Sequence, residues 1–92
     1  MPYLLVRDSD SGSLVDGLPY NEIRDVAMKT SSEADIRDEK NRRVEFGTDT
    51  LNIINALEMM GYKVVTSAHF GPSEFIWTLF KQYFCLFLEY FK

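Results

Sequence analysis

Between Thr50 and Met60, apolar residues recur at helical spacing. Leu51, Ile54 and Leu57, joined by Ile53, Ala56 and Met60, form a wide stripe, and Asn52, Asn55 and Glu58 fall opposite it. This predicts one amphipathic helix. Thr48 or Asp49 can cap its start, and Gly61 is suited to the left-handed residue that closes it. Two β-rich runs follow. Tyr62 to Ala68 (Y-K-V-V-T-S-A) is dense in β-branched residues, and Glu74 to Phe80 (E-F-I-W-T-L-F) is apolar. His69-Phe70-Gly71-Pro72-Ser73 lies between them and reads as a turn. Helix, strand, hairpin and strand in immediate succession require an antiparallel pair with a helix laid against it.

The first half is less regular. Pro2 to Val6 (P-Y-L-L-V) reads as a first strand, and Asp8 to Gly12 (D-S-D-S-G) as a loop. Leu14-Val15 and a Gly17-Leu18-Pro19 turn come next. Asn21 to Met28 fits either a strand or a weak helix, anchored by Ile23 and Val26. Ser31-Ser32-Glu33 can start a short helix with Ala34 to Lys40 as its body, but Ile36 is its one large apolar residue, and a solvated surface segment is the alternative that fits this composition better. Val44 to Gly47 reads as a further short strand.

The chain has 92 residues, enough for one modest core, and is lopsided. Eleven of its fourteen acids lie in the first fifty residues, and nine of its thirteen aromatics lie from Phe70 onward. A sequence pI near 4.8, with no basic cluster beyond Arg42-Arg43, argues against nucleic acid as a partner. The single cysteine, Cys85, forbids an internal disulfide and a cysteine-based zinc site, and His69 is the single histidine. No metal or cofactor is expected. Met1 opens no charged-then-apolar leader, which predicts a reducing, cytoplasmic setting. Tyr83 to Lys92 (Y-F-C-L-F-L-E-Y-F-K) is intensely apolar yet too short to span a membrane, so no membrane partner is expected. Packing on the sheet or in a subunit interface is the expected fate of this segment.

Few residues suggest chemistry. His69 sits where a general base could, but no acid has a fixed spacing to it. Cys85 among aromatics reads as an inert buried thiol. Arg42-Arg43 reads as surface charge, since neighbours on a strand point to opposite faces. Pro2 is different: an N-terminal proline with a lowered pKa can act as a general base, and M-P-Y-L-L-V is similar to the opening of small oligomeric tautomerases. In those enzymes the first strand passes into a long helix. Here it runs into D-S-D-S-G.

Several blocks in order resemble one family, the feedback regulatory proteins of GTP cyclohydrolase I. They are M-P-Y-L-L (Met1 to Leu5) and the block Thr48 to Gln82, whose features are the helix end L-E-M-M-G-Y-K-V (Leu57 to Val64), the turn Phe70 to Ser73, and F-I-W-T-L-F-K (Phe75 to Lys81). Glu22 to Arg24 and Arg42-Arg43 are further points of likeness. Roughly 40 of the 92 residues are covered well. The resemblance implies an α/β (α+β) fold, a small antiparallel sheet with two helices on one face. It implies a non-enzyme that forms pentameric rings and caps GTP cyclohydrolase I. Tetrahydrobiopterin promotes inhibition in that complex, and L-phenylalanine promotes activation. The phenylalanine site of the family lies at the contact with the enzyme. The part of it that can be placed here is the turn Gly71, Pro72, Ser73 and Glu74. Gly71 and Ser73 can offer N–H and hydroxyl groups to an amino-acid carboxylate. The implied layout is one regulatory domain over residues 1–82 and an apolar extension over 83–92. The family's chains end near Gln82, so that extension departs from its pattern.

Overall fold

The computed structural model describes residues 3–69 and 75–81. Strand β1 (Tyr3–Ser9) turns through Asp10 and Ser11 into β2 (Gly12–Asp16), so the loop expected over Asp8 to Gly12 shrinks to a two-residue hairpin turn. Gly12 makes this possible. At φ 151° it passes so close to β4 (Arg43–Phe46) that a Cβ there would lie 2.0 Å from the Phe46 carbonyl oxygen.

Asn21 to Met28 lies within helix α1 (Tyr20–Thr30), which resolves the strand-or-helix alternative. Val26 is its fully buried anchor, and Glu22 is the other buried residue. Ala34 to Lys40, read as a short helix or a solvated surface segment, instead supplies strand β3 (Ala34–Asp38), hairpinned to β4. Ser31 does not start a helix but ends one: it sits at φ 52°, and backbone N–H groups there return to Ala27 and Met28 carbonyls. One large apolar residue, Ile36, cannot hold a helix on a core. On a strand it needs only to face Val44, which it does. The β3–β4 turn is held by the Asp38 carboxylate, which accepts from the Lys40 N–H (3.1 Å) and Asn41 Nδ2 (2.7 Å).

Helix α2 (Thr50–Met59) begins at Asp49, whose carboxylate accepts from the Asn52 N–H at 2.9 Å. It ends before Gly61, at φ 102°. Its buried side is Thr50, Ile53, Ile54, Ala56 and Leu57, while Leu51, expected in the stripe, is exposed. Strands β5 (Tyr62–His69) and β6 (Phe75–Lys81) pair from Tyr62↔Lys81 to His69↔Phe75, with a register shift between Val64 and Thr66.

The result is an α+β fold: a six-stranded antiparallel sheet, ordered β3-β4-β2-β1-β6-β5, with both helices on one face. Strand alternation sends Leu4, Val6, Val15, Val44, Phe46 and Leu79 to that face, where they meet Val26, Ile53 and Leu57. Among the described residues, no helix is long and apolar enough to cross a membrane.

Candidate functional site

The effector-binding turn implied by resemblance, Gly71, Pro72, Ser73 and Glu74, lies outside the described residues, as do Pro2, Cys85 and the extension Tyr83 to Lys92. The structure does describe what holds that turn. His69 and Phe75 are the last register pair of β5 and β6, so the two ends of the connection are brought side by side. Phe75 stacks on Trp77 with ring centroids 5.6 Å apart, which stiffens β6 just beyond the turn.

The opposite end of this hairpin is tied to α1 by a buried polar knot. Glu22 is 7% exposed. Its carboxylate accepts from Tyr62 Oη at 2.7 Å and from Lys81 Nζ at 2.5 Å. The same ammonium lies 5.2 Å from the centroid of the Tyr62 ring. Tyr62 opens β5, Lys81 closes β6, and Glu22 comes from α1's first turn, so three elements meet on one carboxylate. Glu22 had stood out only within E-I-R; a helix-face reading gives no reason to bury it. The missing signal is long-range, because Lys81 lies 59 residues away.

A second network pins the hairpin β1–β2 to α2. Ser13, fully buried, donates to the Thr48 carbonyl at 2.9 Å, and its oxygen lies 3.1 Å from Thr50 Oγ1. Thr50 donates in turn to Asp8.

The sheet face away from the helices divides into two halves. On β2, β4 and β3 it is charged and internally paired. Arg43 donates to Asp16 from Nε (2.7 Å) and Nη2 (3.1 Å), so Arg43 is committed to the sheet, and its guanidinium is held charged by that carboxylate. Arg42, its neighbour, sits in the preceding turn at φ 52° rather than on the strand. Glu45 accepts from Ser9 and Ser11 hydroxyls, each at 2.7 Å, and from Arg37 Nη2 at 2.5 Å. Those hydroxyls, with Arg37, hold the Glu45 carboxyl down at about 2. A shallow recess of about 210 Å³ lies here, lined by Ser11, Glu33, Asp35, Arg37, Glu45 and Gly47. On β1 and β6 the same face carries Tyr3, Leu5, Ile76 and Phe80 in register, with the polar Thr78 and Arg7 among them.

No group of three histidine, cysteine, aspartate or glutamate side chains that could hold a metal occurs among the described residues. His69 contributes its backbone to the last rung of β5–β6. The first strand, which in tautomerases leads to a long helix, here leads into β2.

No protein-family model matches this chain, and no curated protein matches it. The likeness to the feedback regulatory proteins therefore rests on the residues quoted for it.

Proposed function

We propose that this chain is a non-catalytic regulatory protein that binds GTP cyclohydrolase I. In that complex it mediates feedback inhibition by tetrahydrobiopterin and stimulation by L-phenylalanine. The observation that carries the reading is the unit α2–β5–β6. The segments that resemble the family, Leu57 to Val64 and Phe75 to Lys81, fold as a helix end running into one strand and as the strand paired with it. The antiparallel sheet with two helices on one face is the architecture the resemblance implies. The connection over 70–74 is the segment for phenylalanine and the enzyme. A ligand shared between two proteins there couples effector level to complex affinity, provided it binds the complex better than either free partner. By the same resemblance the working form is a pentameric ring.

The test mixes the purified protein with GTP cyclohydrolase I and follows co-sedimentation and initial rates while phenylalanine and tetrahydrobiopterin are varied. The expected result is phenylalanine-dependent association with stimulation, and inhibition that needs both this protein and tetrahydrobiopterin. An enzyme whose rate and sedimentation ignore the protein under every effector condition overturns the reading. Pro2→Ala separates it from proline-based catalysis: a regulator keeps its effect, whereas a tautomerase loses turnover of a keto–enol substrate.

A further inference from the structure

The sheet has two edges, β3 on one side and β5 on the other, and among the described residues neither has an outer neighbour. An unpaired edge is a row of backbone donors and acceptors that a further strand can use. The two edges differ in charge. From Glu33 to Glu39 the β3 side carries four acids against Arg37. From Tyr62 to His69 the β5 side carries Lys63 and no acid. Residues 63–68 are all exposed, Val64 at 40% and Val65 at 52%. Among the described residues Lys63 forms no ion pair, and Asp35, itself exposed, reaches Arg37 only at 3.5 Å.

We infer that copies of this chain join head to tail, the β5 edge of one copy pairing antiparallel with the β3 edge of the next, with Lys63 opposite Asp35 across the joint. Strand direction favours this joint. Five antiparallel steps separate β3 from β5, so the two edges run oppositely, and a copy set alongside with its helices on the same side continues the sheet unchanged. Side-chain direction agrees. Lys63 shares a row with Phe80 and Tyr3, and Asp35 shares one with Glu45, Leu14 and Arg7. Tyr3 and Arg7 lie on the side of β1 away from the helices, so Lys63 and Asp35 lie on that side too. Backbone pairing agrees as well. Hydrogen-bonded and non-hydrogen-bonded pairs alternate along each row of an antiparallel sheet. Carried across the five pairings, the alternation gives Lys63 and Asp35 the same sense at their outer edges, so each can stand opposite the other. In this register Tyr62 meets Ile36 and Val64 meets Ala34 on the helix side, while Arg37 falls opposite Gly61 rather than Lys63. The rungs 62–64 and 34–36 lie clear of the register shifts between Val64 and Thr66 and between Ile36 and Asp38. Opposite charges directly across two strands attract, and like charges there repel. The joint uses two different surfaces of the chain, so it propagates around a ring or along a filament instead of stopping at a pair. The inference does not rest on the regulatory reading, because it concerns how copies meet one another and not what the assembly binds.

Within one chain Lys63 and Asp35 are separated by five strand spacings, about 24 Å across the sheet, so a zero-length link between them can form only between copies. Carbodiimide treatment of the native full-length protein should therefore give covalent oligomers whose peptides join Lys63 to Asp35. Light scattering on the native chain should give a mass several-fold above the 10.7 kDa of one copy. Lys63→Glu alone and Asp35→Lys alone should each reduce that mass to one copy, and the double variant, which reverses the pair, should restore it. A native monomer overturns the inference, as does a native oligomer without the Lys63–Asp35 link. Single variants that keep the native mass, or a double variant that stays monomeric, overturn it too. Dissociation by Lys63→Glu but not by Asp35→Lys assigns the β5 edge to another partner, a second β5 included, and equally overturns it. Both side chains are exposed, so the circular dichroism of the variants should match the native chain. The cross-link is read on the native protein and decides the question if a variant does not fold.

Discussion

Lys81 Nζ lies 2.5 Å from Glu22 Oε2, with the two side chains only 15% and 9% exposed. This contact joins the end of the last strand to the first turn of the first helix. Removing Glu22 takes away the charged acceptor of both Tyr62 Oη and Lys81 Nζ. Glu22→Ala should therefore cost about 3–5 kcal/mol, at roughly 1.5–3 kcal/mol for each hydrogen bond to a charged group. Glu22→Gln should cost less, because its amide oxygen still accepts from Tyr62. Urea unfolding measures both, and an unchanged slope shows that stability alone has moved.

Gly12→Ala should be severe for its size. The new methyl would meet the Phe46 carbonyl, a backbone atom that cannot swing away. The positive φ adds strain on top of the clash, and the expected loss is about 2–3 kcal/mol. A thermal melt measures it. Gly47→Ala is the control, since a Cβ there meets nothing within 4 Å.

Acid sensitivity should trace partly to Glu45. Its carboxyl is lowered from 4.5 to about 2, first by Ser9, then by Ser11 and Arg37. A depressed folded-state value means that its contribution is present above the unfolded-state pKa and drains away as pH falls toward 2. Glu45→Gln should flatten the stability curve between about pH 4.5 and 2 and leave its shape near neutrality unchanged. Carboxyl-detected NMR titration of the native chain should show the Glu45 midpoint near 2.

The two ends of the apolar stripe on α2 should respond differently. Leu57 is fully buried, whereas Leu51 is 66% exposed. Leu57→Ala should cost about 2–5 kcal/mol through lost burial and the cavity left behind. Leu51→Ala should stay within about 0.5 kcal/mol of the native chain. Asp49→Ala, which removes the helix cap, should fall between them at about 1 kcal/mol. Equal losses at Leu51 and Leu57 would contradict the placement of α2.

Where periodicity was strong, the fold was readable from the residues. α2, Gly61, β5 and β6 were all expected from local spacing, and Asp49 from its capping chemistry. The failures have local causes. Ala34 to Lys40 lacks the repeated apolar residues that distinguish a helix from an edge strand, and its pairing with β4 decided the matter. Leu51 belongs to the helical stripe by spacing, but the sheet meets only the Ile53, Ile54 and Leu57 side. The loop over Asp8 to Gly12 was too wide because turn-forming residues also occupy strand ends when a neighbour satisfies them: Asp8 accepts from Thr50, and Ser9 donates to Glu45. Of the candidate site, the turn expected over 70–74 lies outside the described residues, and the knot at the opposite end of its hairpin was not legible in the sequence. Glu22, Tyr62 and Lys81 meet through tertiary contact, and no spacing along the chain announces them.

Strand β1 lies between β2 and β6. During synthesis β1 thus has one neighbour at once and the other only after some seventy more residues have been made. Until β6 arrives, β1 presents a bare edge beside Leu4 and Val6, the start of the core. Synthesis of this protein therefore passes through a long interval in which its centre, rather than its margin, is the sticky part. A chain halted before Phe75 would be a hazard to its neighbours rather than merely an inactive fragment.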